Sequence, residues 1–163
     1  MATSIKNLSK YDKKNISNGA DYKIGIVVSE WNEAITSSLM NGAIDTFKEN
    51  GVTEKNMSIE SVPGAFELPM GAQTLLESQE LDGVITIGTV IQGETKHFDY
   101  VCSGATQGIM SVMLKYNTPI SFCVLTDNNM QQSIDRAGGK HGNKGIECAV
   151  SLLKMIQLQR SLK

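Results

Sequence analysis

Nowhere in the 163 residues does an apolar run approach the roughly 18 needed to cross a bilayer. The first 21 residues lack both the apolar stretch of a secretory signal and the arginines of a transit peptide. The chain therefore reads as a soluble, cytoplasmic globular protein with no membrane partner. Positive charge is scarce too: 15 Lys plus Arg against 17 Asp plus Glu give a formal net charge of −2, which excludes a general affinity for nucleic acid. Cysteine is limited to Cys102, Cys123 and Cys148, an odd set without CxxC spacing and each among apolar neighbours. They read as small buried hydrophobes in a reducing compartment, not as a disulfide framework or a zinc site. One Trp, two His and two Arg leave few candidates for any task needing an indole, an imidazole or a guanidinium.

At about 150 residues per domain the length allows one compact domain. Residues 1–21, with four lysines, read as a polar arm, either partly ordered or pairing with a neighbouring subunit, and residues 22–163 as the domain. From Lys23 onward, short β-branched runs alternate with longer segments of helical period, which is the pattern of an α/β fold with a parallel sheet. Strands are expected over residues 24–29, 57–62, 84–88 and 119–125, the first of them a continuous apolar run suited to burial on both faces. Helices are expected over 33–50, 67–78, 98–116, 130–137 and about 143–158, with Pro69 tolerated in a first turn. Right-handed crossovers then build a flavodoxin-like, three-layer αβα sandwich around a four-stranded parallel sheet.

In such sheets the ligand crevice lies beyond the carboxyl ends of the strands, so the residues just after each strand are the functional candidates. Trp31 and Phe66 follow the first and second strands, where they either stack on a flat heterocycle or anchor their loops against the core. Asn32 and Glu67 stand beside them. After the third strand come Thr89, Val90 and Ile91, then Gly93-Glu94-Thr95 before a helix, where backbone N–H groups make an anion site and Thr95 is placed to cap. That site requires Glu94 to point away. Arg136 either closes it with a forked contact or complements a helix C-terminus. His97 falls in a helix first turn, where a neutral imidazole is a candidate general base at about pH 7 or an incidental polar residue. His141, in a glycine-rich loop, reads as structural.

Three long stretches resemble the lumazine synthase family. They are Val62-Pro63-Gly64-Ala65-Phe66-Glu67-Leu68-Pro69, Gly88-Thr89-Val90-Ile91 through Gly93-Glu94-Thr95-Lys96-His97-Phe98-Asp99-Tyr100, and Arg136-Ala137-Gly138 through Gly142-Asn143-Lys144-Gly145. The resemblance spans about residues 23–160 in order. It implies condensation of 5-amino-6-ribitylaminopyrimidinedione with 3,4-dihydroxy-2-butanone 4-phosphate, giving 6,7-dimethyl-8-ribityllumazine with loss of phosphate and water and needing no metal or organic cofactor. It implies that Trp31 and Phe66 stack on or flank the pyrimidine, that Phe122 covers it from a neighbouring subunit, and that Asn32, Ala65, Glu67 and Lys144 hold the ribityl chain or its vicinity. Thr89, Val90 and Ile91 belong to the same substrate-binding set. The Glu94-Thr95 backbone with Arg136 takes the phosphate, His97 moves protons, and Glu147, three residues after Lys144, assists His97 across a subunit boundary. The resemblance also implies a pentamer with shared sites. The compact stretch from Ala137 to Asn143 inclines the assembly toward a sixty-subunit shell rather than a decamer. Many relatives carry Phe where this chain has Trp31, and the larger indole suggests binding of riboflavin itself.

Two rivals share the layered fold. A receiver domain needs an acidic cluster after the first strand and an aspartate ending the third, where this chain has Ser29-Glu30-Trp31 and Gly88-Thr89. An archaeal-type riboflavin synthase is disfavoured by the Pro63 and Gly93 motifs.

Overall fold

The computed structural model describes residues 9–162, the Asn15 side chain excepted. Four strands, β1 (Ile24–Ser29), β2 (Met57–Val62), β3 (Gly83–Ile91) and β4 (Ile120–Asp127), form one parallel sheet in the order β2-β1-β3-β4. Helices α1 (Glu33–Glu49), α2 (Leu68–Ser78) and α3 (His97–Tyr116) make the crossovers. Next come α4 (Met130–Arg136), a small antiparallel ribbon of β5 (Ala137–Gly139) and β6 (Gly142–Asn143), and α5 (Lys144–Ser161). None of the helices among the described residues is long and apolar enough to cross a membrane.

Side-chain alternation along the strands separates two cores. Ile24 and Ile26 of β1 and Ile85 and Ile87 of β3 face Leu39 and Phe47 of α1 and Leu152 and Leu153 of α5. Val27 and Val84 point the other way, against Leu68 and Leu75 of α2 and Ile109 of α3. The result is the expected three-layer sandwich around a four-stranded parallel sheet.

The element ends depart from expectation where long-range pairing decides them. β3 does not stop at Gly88: Gly88, Thr89, Val90 and Ile91 pair in unbroken register with Val124, Leu125, Thr126 and Asp127. Thr89 to Ile91 therefore lie within the strand and not after it, as does Asp127. The helix expected from residue 67 begins at Leu68, because Ala65–Glu67 form a 3-10 turn, and it carries Pro69 in its first turn. Cys102 is half-buried and not in the core, whereas Cys123 and Cys148 are buried as expected.

The first eight residues of the expected arm lie outside the described residues. Its remainder rests on α1 and α5 of the same chain: the Asn143 N–H donates to Ser9 Oγ at 2.7 Å, Asn50 Nδ2 to the Tyr11 hydroxyl at 2.9 Å, and the Ser17 N–H to Gln157 Oε1 at 3.1 Å.

Candidate active site

Between β1 and β3 the strand order reverses: the chain leaves β1 toward β2 on one side and returns to β3 on the other. Beyond the carboxyl ends of these strands lies a cavity of about 590 Å³, lined by Trp31, Asn32, Gly64, Ala65, Phe66, Glu67, Thr89, Val90, Ile91, His97, Tyr100 and Val101. This is where a doubly wound sheet places its ligand. Nine sequence candidates thus share one cavity.

Local geometry explains how each is presented. Asn32 caps α1 with φ 60 and ψ 47, a left-handed conformation that asparagine tolerates better than most residues, and its side chain makes no capping bond. The sharp turn throws Trp31 outward, 72% exposed in the single chain. Gly64 lies under both Trp31 and Glu67, since a Cβ there would stand 3.1 Å from Glu67 Oε2 and 3.7 Å from the indole. The Phe66 ring lies on α3 at Gly104, where a Cβ would fall 2.5 Å from Cε2. Phe66 is nevertheless 59% exposed. It therefore anchors its turn, the second of the two alternatives, and still leaves part of its ring exposed.

His97 is exposed and is the first residue of α3, beside the partial positive charge of the helix end. Thr95 does not cap this helix. Lys96 holds the cap position, and Thr95 Oγ1 instead accepts the His97 N–H at a long 3.4 Å. The Gly93-Glu94-Thr95 segment is exposed, and a Cβ at Gly93 would meet nothing within 4 Å, so the backbone there is open to a ligand.

Sequence reasoning passed over Tyr100 and Val101. Tyr100 is 74% exposed and stands three residues after His97, so helical spacing alone puts it on the same face.

The remaining candidates lie outside this cavity. Arg136 ends α4, and its Nη1 donates to the Gln132 carbonyl at 3.2 Å while lying 3.7 Å from Asp127 Oδ1. It complements its own helix end, yet its guanidinium is not fully covered. Phe122 lies in the edge strand β4, and the carbonyl of this residue accepts from Cys148 Sγ at 3.4 Å. Lys144 and Glu147, in the first turn of α5, pair at 2.8 Å. Burial of Lys144 works against its charge, but the hydrogen bond and charge of Glu147 outweigh that and hold the ammonium above its ordinary range. Beneath them the two core thiols touch. The contact lowers Cys148, helped by the charge of Lys144 and opposed by burial, while contact and burial together push Cys123 well up. Lys144, Glu147 and Cys148 form a second cluster beside β4, joined by the Phe122 carbonyl, while the Phe122 ring lies on the other face of the sheet with the α2–α3 core; all stand separate from the cavity at the switch point.

Residues 21–160 match the family described as 6,7-dimethyl-8-ribityllumazine synthase. The chain is 54% identical over 164 residues to the 6,7-dimethyl-8-ribityllumazine synthase of Christiangramia forsetii, an alignment covering 100% of this chain and 98% of the relative. It is 54% identical over 160 residues to the Flavobacterium johnsoniae protein of the same name, covering 98% and 84%. The Phocaeicola vulgatus protein of that name is 47% identical over 163 residues, covering 100% and 97%.

Proposed function

The chain belongs to the 6,7-dimethyl-8-ribityllumazine synthase family and carries out the condensation that forms that lumazine in riboflavin biosynthesis, and from this premise we propose how its residues hold and join the two substrates. Trp31 and Phe66 sandwich the pyrimidine. The backbone of Thr89, Val90 and Ile91 meets the edge of the ring, and Asn32, Ala65 and Glu67 accept the ribityl hydroxyls. The open N–H groups at Glu94 and Thr95, with Arg136, take the phosphate of the four-carbon substrate. His97 relays protons as the arylamine adds to the ketone, water and phosphate leave, and the second amine closes the ring with loss of a second water. Each step needs orientation and a proton carrier more than a strong electrophile. Holding two reactants in contact supplies up to roughly 7 kcal/mol or more of the barrier reduction.

One observation carries the reading: His97 and both aromatics line a single cavity at the point where the sheet reverses. A purified sample given both substrates is expected to produce a fluorescent lumazine and free phosphate in step, and neither substrate alone should do so. A folded sample that forms no lumazine would overturn it.

The second cluster, Phe122 and Arg136 belong to the site of an adjacent copy. Phe122 covers that copy's pyrimidine, Lys144 reaches its ribityl chain, Glu147 assists its His97, and Arg136 reaches its phosphate. Support comes from their position off the chain's own cavity and from an apolar stripe on α3, where Met110 and Leu114 are exposed at helical spacing beyond Tyr100. The assembly is a pentamer, and the tight β5–β6 ribbon, without an insertion, favours closure of pentamers into a shell. The three unpaired cysteines suit the reducing cytoplasm. Residues 22–163 act as one domain, with residues 1–21 as its arm.

A further inference from the structure

We propose that Asp127 is a positioning residue for the guanidinium of Arg136, a role that rests on the reading of Arg136 as a phosphate ligand. Asp127 closes β4 and is only 5% exposed, an unusual place for a carboxylate unless it is partnered. Its two oxygens have different partners. Oδ2 accepts from Ser133 Oγ at 2.9 Å, and Oδ1 faces Arg136 Nη1 at 3.7 Å.

Ser133 is itself fully buried, and its hydroxyl lies 3.2 Å from Thr89 Oγ1. A hydroxyl has one proton, and Ser133 gives its proton to Asp127, so the bond to Thr89 must run from Thr89 to Ser133. The donors therefore all point one way, from β3 through α4 to the carboxylate. This relay fixes the orientation of Asp127 and leaves its second oxygen turned to the guanidinium.

The 3.7 Å gap is an ion-pair distance and not a hydrogen bond. Asp127 thus steers Arg136 by its field without occupying a donor. The only direct bond from the guanidinium among the described residues is from Nη1 to the Gln132 carbonyl. Restraint falls on one nitrogen, and Nη2 and Nε remain for a forked contact with an anion. Without the carboxylate the long side chain would sample more rotamers, and the phosphate would have to select one of them.

A mutant cycle tests this with D127N, R136A and the double variant. In each, KM is measured for the phosphorylated four-carbon substrate and for the pyrimidine amine, together with kcat, inhibition by inorganic phosphate and the thermal midpoint. D127N is expected to raise the KM of the phosphorylated substrate and the inhibition constant of phosphate about tenfold, leaving the KM of the pyrimidine amine where it was. S133A should move the same two constants in the same direction by less. In the R136A background D127N should change neither further.

Unchanged or tightened phosphate constants in D127N would overturn the proposal, as would an effect that persists without Arg136. If D127N does not fold, S133A and S133A/R136A carry the same cycle. If R136A alone leaves both phosphate constants unaltered, the assignment of Arg136 itself fails; if R136A weakens them and D127N does not, only the role of Asp127 fails.

Discussion

Gly145 backs onto the Leu39 carbonyl so closely that a Cβ at Gly145 would fall 1.9 Å from that oxygen. Helices α1 and α5 therefore meet backbone to backbone, pinned by the Asn143 side chain, which accepts the Gly145 N–H at 2.8 Å and donates to the Ser38 carbonyl at 2.9 Å. Gly145→Ala must part the two helices and tilt the start of α5, where Lys144 and Glu147 stand. A loss of about 1–3 kcal/mol is expected from such overpacking, read as a lower urea midpoint accompanied by lower activity. A midpoint equal to the parent's would show that the helices separate freely.

Removing the imidazole should slow the reaction without stopping it. His97→Ala is expected to lower kcat by about 100-fold or more, the usual worth of a positioned proton carrier, while approximation of the two substrates sustains the remainder. Total inactivity in a folded variant would mean that His97 does more than move protons.

Mixing two crippled chains offers a test of the shared site. His97→Ala and Arg136→Ala variants, each poorly active alone, are unfolded together in equal amounts and refolded. In a head-to-tail ring about one seam in four then joins an intact His97 to an intact Arg136, so activity should recover to about a quarter of the parent's. No recovery would place both residues in one chain's own site.

Trp31 is the sole tryptophan and stands on the cavity wall, so its emission reports ligand stacking without a label. Titration with riboflavin should quench that emission, and prior saturation with the product lumazine, which occupies the same position, should abolish any further change on adding riboflavin. Steady emission throughout would remove stacking at this position.

Legibility in the sequence followed the range of the forces involved. Strand and helix identities came from local periodicity, and most of the cavity wall came from one topological rule, which singles out Trp31, Phe66 and His97 as residues at or beyond strand ends. What failed were features settled by distant partners. Thr89 to Ile91 are strand because β4 lies alongside them, and no local signal joins Thr89 to Ser133, 44 residues away. Tyr100 was readable, three positions from His97 on one helical face, but an aromatic in a helix reads first as core. The roles proposed for Phe122, Lys144 and Glu147 rest only on the family resemblance, since within one chain they sit apart from the cavity.

Trp31, Phe66 and Tyr100 are bare in the lone chain. A newly made polypeptide thus turns three large rings to water, an exposure that any ligand or protein surface covering them would relieve. Mutations chosen to make such a chain better behaved at low concentration would strike three residues that line the cavity at the switch point, so good manners in dilute solution and an intact cavity wall pull against each other here.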